Sequence, residues 1–348
     1  MPTDISTDIN STLKQEKQKL AERIVELQYE RQPEIWKPYG DPGREKSVRD
    51  SGYHLSYLAA ALDADDPILF IEYLAWAKSI FVNLHFPENV LATTLQCTRQ
   101  ALIEGLPQGL CAPALAMIDN GLQSLDATPI IVPTFIEKDN LLARQFLDFL
   151  LSGNRQAASQ LILEAVKAGI PVRDIYLRVF QNTQREVGRL WQTNQISVAQ
   201  EHFCSAATQM VMSQLYPYIF SSRRTDRRMV MACVGGELHE IGARMVADFF
   251  EMEGWDTYFL GANTPHQSII QTVVEHNADL LAISVTMTFH ISKVREIIQG
   301  LRQSGNLRTK VLVGGFPFNL SHDLWKRVGA DGFAPDAQSA LTEAERIS

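Results

Sequence analysis

The chain lacks the marks of several large protein classes. No run reaches 18 apolar residues, so no helix is expected to span a bilayer. Met1 to Ser11 carries Asp4 and Asp8 and has neither the basic start nor the apolar stretch of a signal peptide, which points to a cytoplasmic location. The four cysteines, Cys97, Cys111, Cys204 and Cys233, form no CxxC pair, so neither a disulfide framework nor a zinc site is expected. Cys233 lies in an apolar run and reads as a small buried hydrophobe. Positive charge is in deficit, with 32 Lys and Arg against 40 Asp and Glu, a net charge of −8. Such a balance repels nucleic acid. The dense basic cluster Arg223, Arg224, Arg227 and Arg228 falls between two apparent domains and reads as solvated linker charge. With no helix-turn-helix or zinc-finger spacing, direct nucleic-acid binding is not expected. Nor is there room for a catalytic barrel of about 250 residues.

What is present falls into blocks. Residues 1–123 read as a helical N-terminal domain: Leu13 to Gln32 is charged and amphipathic, Pro33, Pro38, Gly40, Pro42 and Gly43 break the pattern, and helical periodicity resumes in Tyr53–Leu62, Pro67–Leu84, Pro87–Glu104 and Cys111–Leu122. Residues 124–136, with two prolines and the β-branched run Ile130 to Val132, read as an extended linker. Residues 137–222 read as a four-helix bundle, from Lys138–Leu151, Arg155–Ala168, Val172–Asn194 and Ser197–Tyr218, joined by short loops. Residues 228–348 change period. Apolar runs Met229–Val234, Thr257–Leu260, Leu280–Val285, Lys310–Val313 and the short Asp331–Ala334 alternate with helical stretches Ile241–Glu253, Pro265–His276, His290–Ser304, Ser321–Val328 and Gln338–Arg346. The alternation predicts an α/β flavodoxin-like (Rossmann-type) domain on a parallel, doubly wound sheet, with ligands at the carboxyl ends of its strands.

At the end of the first strand stand Gly235, Gly236, Glu237, Leu238, His239, Glu240, Ile241 and Gly242, before a helix. The glycines allow a sharp turn, and Glu237 and His239 project from the loop. A carboxylate that holds one imidazole N–H aims the other nitrogen at a metal. One histidine makes a poor zinc site; it suits a metal whose other ligands come from a macrocycle. A polar surface histidine is the plain alternative.

Glu237-x-His239-x-x-Gly242 resembles the Asp/Glu-x-His-x-x-Gly signature of base-off, His-on cobalamin-binding domains. Forty-one residues separate Gly242 from Ser284-Val285-Thr286, similar to that family's Ser-x-Leu/Thr element, and twenty-seven more lead to Gly314-Gly315 and Phe316. The resemblance implies that His239 ligates cobalt in place of the cofactor's benzimidazole tail. It also implies that Ser284 and Thr286 face that tail, that Gly314 and Gly315 leave it room, and that Leu238, Glu240, Ile241, Val285 and Phe316 adjoin the cofactor.

In the bundle, nine residues separate Trp191 from Glu201-His202. This resembles the Trp-x9-Glu-His motif of adenosylcobalamin photoreceptors of the CarH and LitR type, whose bundle caps the upper corrin face. The resemblance implies that Trp191 packs on the adenosyl group, that Glu201 hydrogen-bonds it, that His202 supports the site and that Val198 lines it. A bundle-core aromatic and a helix-surface charge are the plain alternative. The best-known CarH proteins have a histidine directly after the tryptophan; here it is Gln192, and no DNA-binding domain is present.

The first block carries Tyr53, His54, Tyr57, Phe70, Tyr73, Trp76 and Phe81 at helical spacing. A helical core is one reading. The arrangement also resembles the photocobilins, in which a globin-like domain binds biliverdin beside a cobalamin photoreceptor unit; His54 would then meet the pyrrole nitrogens, with Arg44 and Arg49 on the propionates.

These resemblances predict a non-enzymatic light sensor: Co–C photolysis of adenosylcobalamin shifts the bundle and changes homo-oligomer or light-dependent partner contacts, with biliverdin as second chromophore. A methyl-carrying corrinoid protein of a methyltransferase system, or a protein that senses cobalamin in the dark, is the alternative.

Overall fold

The computed structural model describes residues 3–127, 133–220 and 224–348. The expected extended run Ile130 to Val132 and Arg223 of the basic cluster lie outside them. The described residues form two compact units, Met1–Ile131 with Met287–Ser292, and Val132–Thr286 with Lys293–Ser348. No helix among them is long and apolar enough to cross a membrane.

The first unit is helical: α1 (Thr3–Arg31), α2 (Gly40–Asp63), α3 (Ile68–Asn83), α4 (Asn89–Gly105) and α5 (Gln108–Ala127). On α1, Leu13, Leu20, Ile24 and Leu27 recur at helical spacing and are all buried, and α1 packs along α2 and α4. The proline–glycine cluster breaks the helix as read from the sequence, but the next helix starts at Gly40 and not at Tyr53. Pro33 starts the single turn Pro33–Trp36, a 3-10 turn Lys37–Tyr39 follows, and α2 begins at once with Pro42 in its first turn. Proline in a first turn forfeits no helical hydrogen bond, so the cluster makes a corner.

The aromatic residues expected to hold biliverdin hold one another. His54 is buried, and its Nδ1 lies 2.7 Å from the Tyr73 hydroxyl. The Tyr73 ring stacks on Tyr57 at 3.7 Å, and Phe81 packs on Phe86 at 5.2 Å. Burial pushes the His54 imidazole down to about 4, so it is neutral at pH 7. Arg44 lies over the Tyr29 ring, and Arg49 is 3.9 Å from Asp50.

The second unit joins a helical bundle to an α/β layer. The bundle helices are α6 (Leu141–Leu151), α7 (Arg155–Lys167), α8 (Gln181–Gln192), which continues from a π-helical stretch Ile175–Phe180, and α9 (Val198–Gln214). Their core gathers Ala143, Phe146 and Leu150 with Ile162, Phe180, Val187 and Val211. Asn140 and Asn154 cap α6 and α7, and Ser197 forms a capping box with Gln200 at the start of α9. The last predicted helix stops at Gln214; a separate turn, Tyr216–Ile219, follows around Pro217.

The sheet contains β1 (Arg228–Cys233), β2 (Asp256–Phe259), β3 (Leu280–Ser284), β4 (Lys310–Gly314) and β5 (Gly332–Ala334). All pairings are parallel, in the order β2-β1-β3-β4-β5. The helices are α10 (Ile241–Met252), α11 (His266–Glu275), α12 (Ile291–Gln303), α13 (Phe316–Leu320), α14 (Leu324–Arg327) and α15 (Ala337–Ile347). β1 and β3 are buried almost throughout, as parallel strands covered on both faces must be, whereas the edge strand β2 is half-buried. Of the stretch expected as one helix from Ser321 to Val328, only the single turn α14 is helical, and α13 lies wholly before it.

Helix α10 belongs to both layers. Met245 and Phe249 are part of the bundle's core, while Ala243, Ala247 and Phe250 pack under the sheet. Burying Phe249 alone contributes about 2 kcal/mol, so bundle and sheet are joined through a common apolar seam.

Candidate functional site

The strand order reverses at β1, and the loops leaving β1 and β3 flank that switch point. After β1 the chain turns tightly. The Glu237 N–H donates to Val234 O at 2.9 Å, the Gly236 N–H donates to Asn263 Oδ1 at 2.6 Å, and Lys293 Nζ donates to Gly235 O.

The Glu237 side chain points inward and is fully buried. Its Oε1 accepts the His239 backbone N–H at 3.1 Å and lies 2.5 Å from His239 Nδ1; its Oε2 accepts the Thr286 N–H at 2.8 Å. One carboxylate thus ties the loop after β1 to the loop after β3. The side chain of His239 stays 58% exposed. With Nδ1 engaged, Nε2 is the nitrogen left for a ligand. The bond to Glu237, reinforced by the charges of Glu237 and Glu201, holds the imidazole above its usual proton affinity against the opposing effect of burial.

Ser284 ends β3 in register with Cys233 and Gly314, and the buried Val285 donates its N–H to Gly314 O at 3.2 Å. Gly314 and Gly315 are required by close approach. A Cβ on Gly314 would meet Ala334 O at 2.9 Å, and one on Gly315, at φ +102°, would lie 1.9 Å from Val285 O. Leu238 and Phe316 leave large apolar side chains in solvent, 72% and 50% exposed. Gly242 faces open space.

Glu240 and Ile241 are engaged by the protein itself. Glu240 accepts from Gln209 Nε2 at 3.0 Å and from the Ala262 N–H at 2.8 Å, so its carboxylate is engaged by protein. Ile241 packs on the bundle core. In the bundle, Trp191 is half-buried and Val198 is exposed. Glu201 accepts from Ser205 Oγ at 2.9 Å and contacts Nδ1 of the exposed His202. Gln209, Asn263 and Lys293 were not singled out from the sequence; each acts across a long stretch of chain, and no local spacing marks them.

Among the described residues no group of three or more His, Cys, Asp or Glu could enclose a metal ion. A single half-exposed imidazole, oriented by a buried carboxylate, fits a metal that brings its other ligands with it, as in a macrocycle. The open space at Gly242 and the exposed apolar side chains of Leu238 and Phe316 suit a large, partly apolar ligand. Fold and site together fit a corrinoid-binding protein.

Comparison with known proteins agrees. A family profile described as "B12 binding domain" matches residues 227–345, and a second of the same description matches residues 142–216. Dimethylamine corrinoid protein 3 of Methanosarcina acetivorans is 24% identical over 211 residues, which is 59% of this chain and 96% of that protein. Dimethylamine corrinoid protein 3 of Methanosarcina mazei is 30% identical over 121 residues, 34% of this chain and 71% of that protein. The structure of the Methanosarcina barkeri monomethylamine corrinoid protein superposes with a TM-score of 0.54 at 22% identity, over 60% of this chain and 98% of that one, and shares its fold. The chain belongs to the family of B12-binding corrinoid proteins. It binds a corrinoid.

These relatives overturn the expected light sensor: they are amine corrinoid proteins, not CarH-type photoreceptors. The photoreceptor and signalling reading falls, and with it the adenosylcobalamin assignment, the light-dependent partner and biliverdin as second chromophore. The packing of His54, Tyr57 and Tyr73 on one another agrees with that correction. The Trp-x9-Glu-His spacing has a local structural origin, since it spans the end of α8, the turn at Thr193–Gln195 and the Ser197 capping box.

Proposed function

We propose that the chain is a methyl-carrying corrinoid protein that serves a partner methyltransferase, with His239 as the residue that would hold the cobalt. The observation that carries this reading is the Glu237–His239 pair: a buried carboxylate fixes Nδ1 and turns Nε2 outward beside the switch point of the sheet. The names of the relatives, dimethylamine corrinoid proteins, support the carrier role. When bound, the corrinoid supplies a cobalt centre that accepts a methyl group and hands it on.

The protein's own residues bind and orient. Glu237 positions His239 and pins the β3 loop through Thr286. Ser284, Val285, Thr286, Gly314 and Gly315 border the space for the nucleotide tail, and Leu238, Gly242 and Phe316 adjoin the macrocycle. Trp191, Val198, Glu201 and His202 stand on the bundle side and exclude water from the upper face.

Reduced, cobalamin-loaded protein mixed in the dark with a methylamine methyltransferase and its methylated amine acquires the methylcobalamin spectrum. A spectrum that stays unchanged while cobalamin remains bound contradicts the carrier role.

A further inference from the structure

Glu240, the residue after His239, is tied on both sides. Gln209 of α9 donates to one carboxylate oxygen at 3.0 Å, and the Ala262 N–H donates to the other at 2.8 Å. The β2–α11 loop accommodates that carboxylate: Gly261, at φ +76°, would bring a Cβ within 3.0 Å of Glu240 Oε2. The loop that carries His239 is therefore fastened directly to the bundle.

On α9, Glu201, Ser205, Gln209 and Ser213 recur every four residues and so share one helix face. The C-terminal half of this stripe is fixed to α10. Arg244 donates to Ser213 Oγ at 2.9 Å and to Gln209 O at 3.5 Å, and its guanidinium lies over the Tyr216 ring. Farther along α10, the Tyr176 hydroxyl donates to Asp248 at 2.7 Å. Among the described residues, the N-terminal half has no such fastening to α10. There Glu201 hydrogen-bonds Ser205 and His202 of its own helix, about 12 Å from Gln209 at 1.5 Å rise per residue, its charge reaches His239, and Ser205 donates to Gln184 of α8 at 3.2 Å. That end follows the turn that carries Trp191, and Val198 and His202 there are exposed.

We propose that the Gln209–Glu240 hydrogen bond is the fulcrum of the bundle over the site. Gln209 is a positioning residue: it holds α9 so that its first turn covers the upper corrin face, and loosening it frees that turn without displacing His239. The role rests on the corrinoid reading above and deepens it.

The test exchanges the pair. Gln209→Glu sets two carboxylates against each other with almost no change of shape. Gln209→Glu with Glu240→Gln restores a donor and an acceptor, and the amide carbonyl then at position 240 still accepts from Ala262. Two readouts are taken: hydrogen exchange of residues 198–205 in the protein without cofactor, and the rate at which cyanide replaces water on the upper face of hydroxocobalamin-loaded protein. In the single variant both rates rise on the order of tenfold, the scale of one lost hydrogen bond to a charged group, while the His-on spectrum is kept. In the double variant both return toward wild type. Unchanged rates in the single variant, or no recovery in the double, overturn the proposal. A wild-type protein that never shows a His-on spectrum overturns the corrinoid-site reading instead, and the cofactor-free exchange still tests the tie.

Discussion

Replacing Gly315 with alanine tests the packing that keeps the two loops of the site in place. The added Cβ would lie 1.9 Å from Val285 O and 2.8 Å from its carbonyl carbon, both main-chain atoms. No side chain can rotate away to relieve the contact, so the end of β3 must move. Alanine at φ +102° carries backbone strain of roughly 1–3 kcal/mol. Overpacking against a fixed neighbour adds about 1–3 kcal/mol. The sum, about 2–6 kcal/mol, is a large fraction of the roughly 5–15 kcal/mol that holds a typical domain folded. With a urea dependence of about 1–3 kcal/mol per molar, the midpoint falls on the order of 1 M or more. Urea denaturation read by hydrogen exchange in β3 and β4 measures it. A midpoint within error of wild type would refute the reasoning, because it would mean that the Val285–Gly315 approach is not a feature of the folded chain.

Gly242→Ala makes the opposite case. Its Cβ meets nothing within 4 Å, so the cofactor-free protein keeps its stability or gains up to about 1 kcal/mol, while corrinoid affinity falls; unchanged affinity would show that the space above Gly242 is not used. Glu237→Gln sets an amide NH2 where the carboxylate now faces three N–H groups, those of His239 N, His239 Nδ1 and Thr286 N, and corrinoid affinity drops roughly 10- to 100-fold; a titration indistinguishable from wild type counts against the orienting role. Burial pushes Asp248 up to about 6 from an ordinary 3.8. Its folded-state contribution is therefore fully present below about 4 and lost as pH rises through about 6, a change on the order of 3 kcal/mol. In Asp248→Asn that loss disappears, so the variant gains stability relative to wild type between about pH 4 and 7; parallel stability curves would contradict this.

The α/β layer was legible because its signals are local. Runs such as Leu280–Val285 are apolar on both faces, as only a covered parallel strand can be, and a glycine-rich turn followed each of β1 and β4. The break at the N-terminal corner was legible but the start of α2 was placed too late, because Pro42 breaks a helix only in its interior and fits a first turn. The pairing of Glu237 with His239 could be anticipated two residues apart, but its reach to Thr286 depends on the neighbouring strand. The tie from Glu240 to Gln209 joins positions 31 residues apart and has no signature in either. The Trp191 and Glu201 spacing misled only as to the kind of protein: it describes a helix–turn–helix corner as well as it describes a light sensor's motif, and the relatives contradict the light sensor.

The central claim is that His239 binds cobalt through the nitrogen that Glu237 leaves free. Electron paramagnetic resonance of the cob(II)alamin-loaded protein, prepared with 15N-labelled histidine, tests it directly. If His239 is the lower ligand, the superhyperfine pattern on the cobalt lines is the doublet of 15N, and His239→Ala loses it. A triplet that persists in the labelled protein would mean that the cofactor's own base, with its 14N, remains on the metal, and the account would be contradicted.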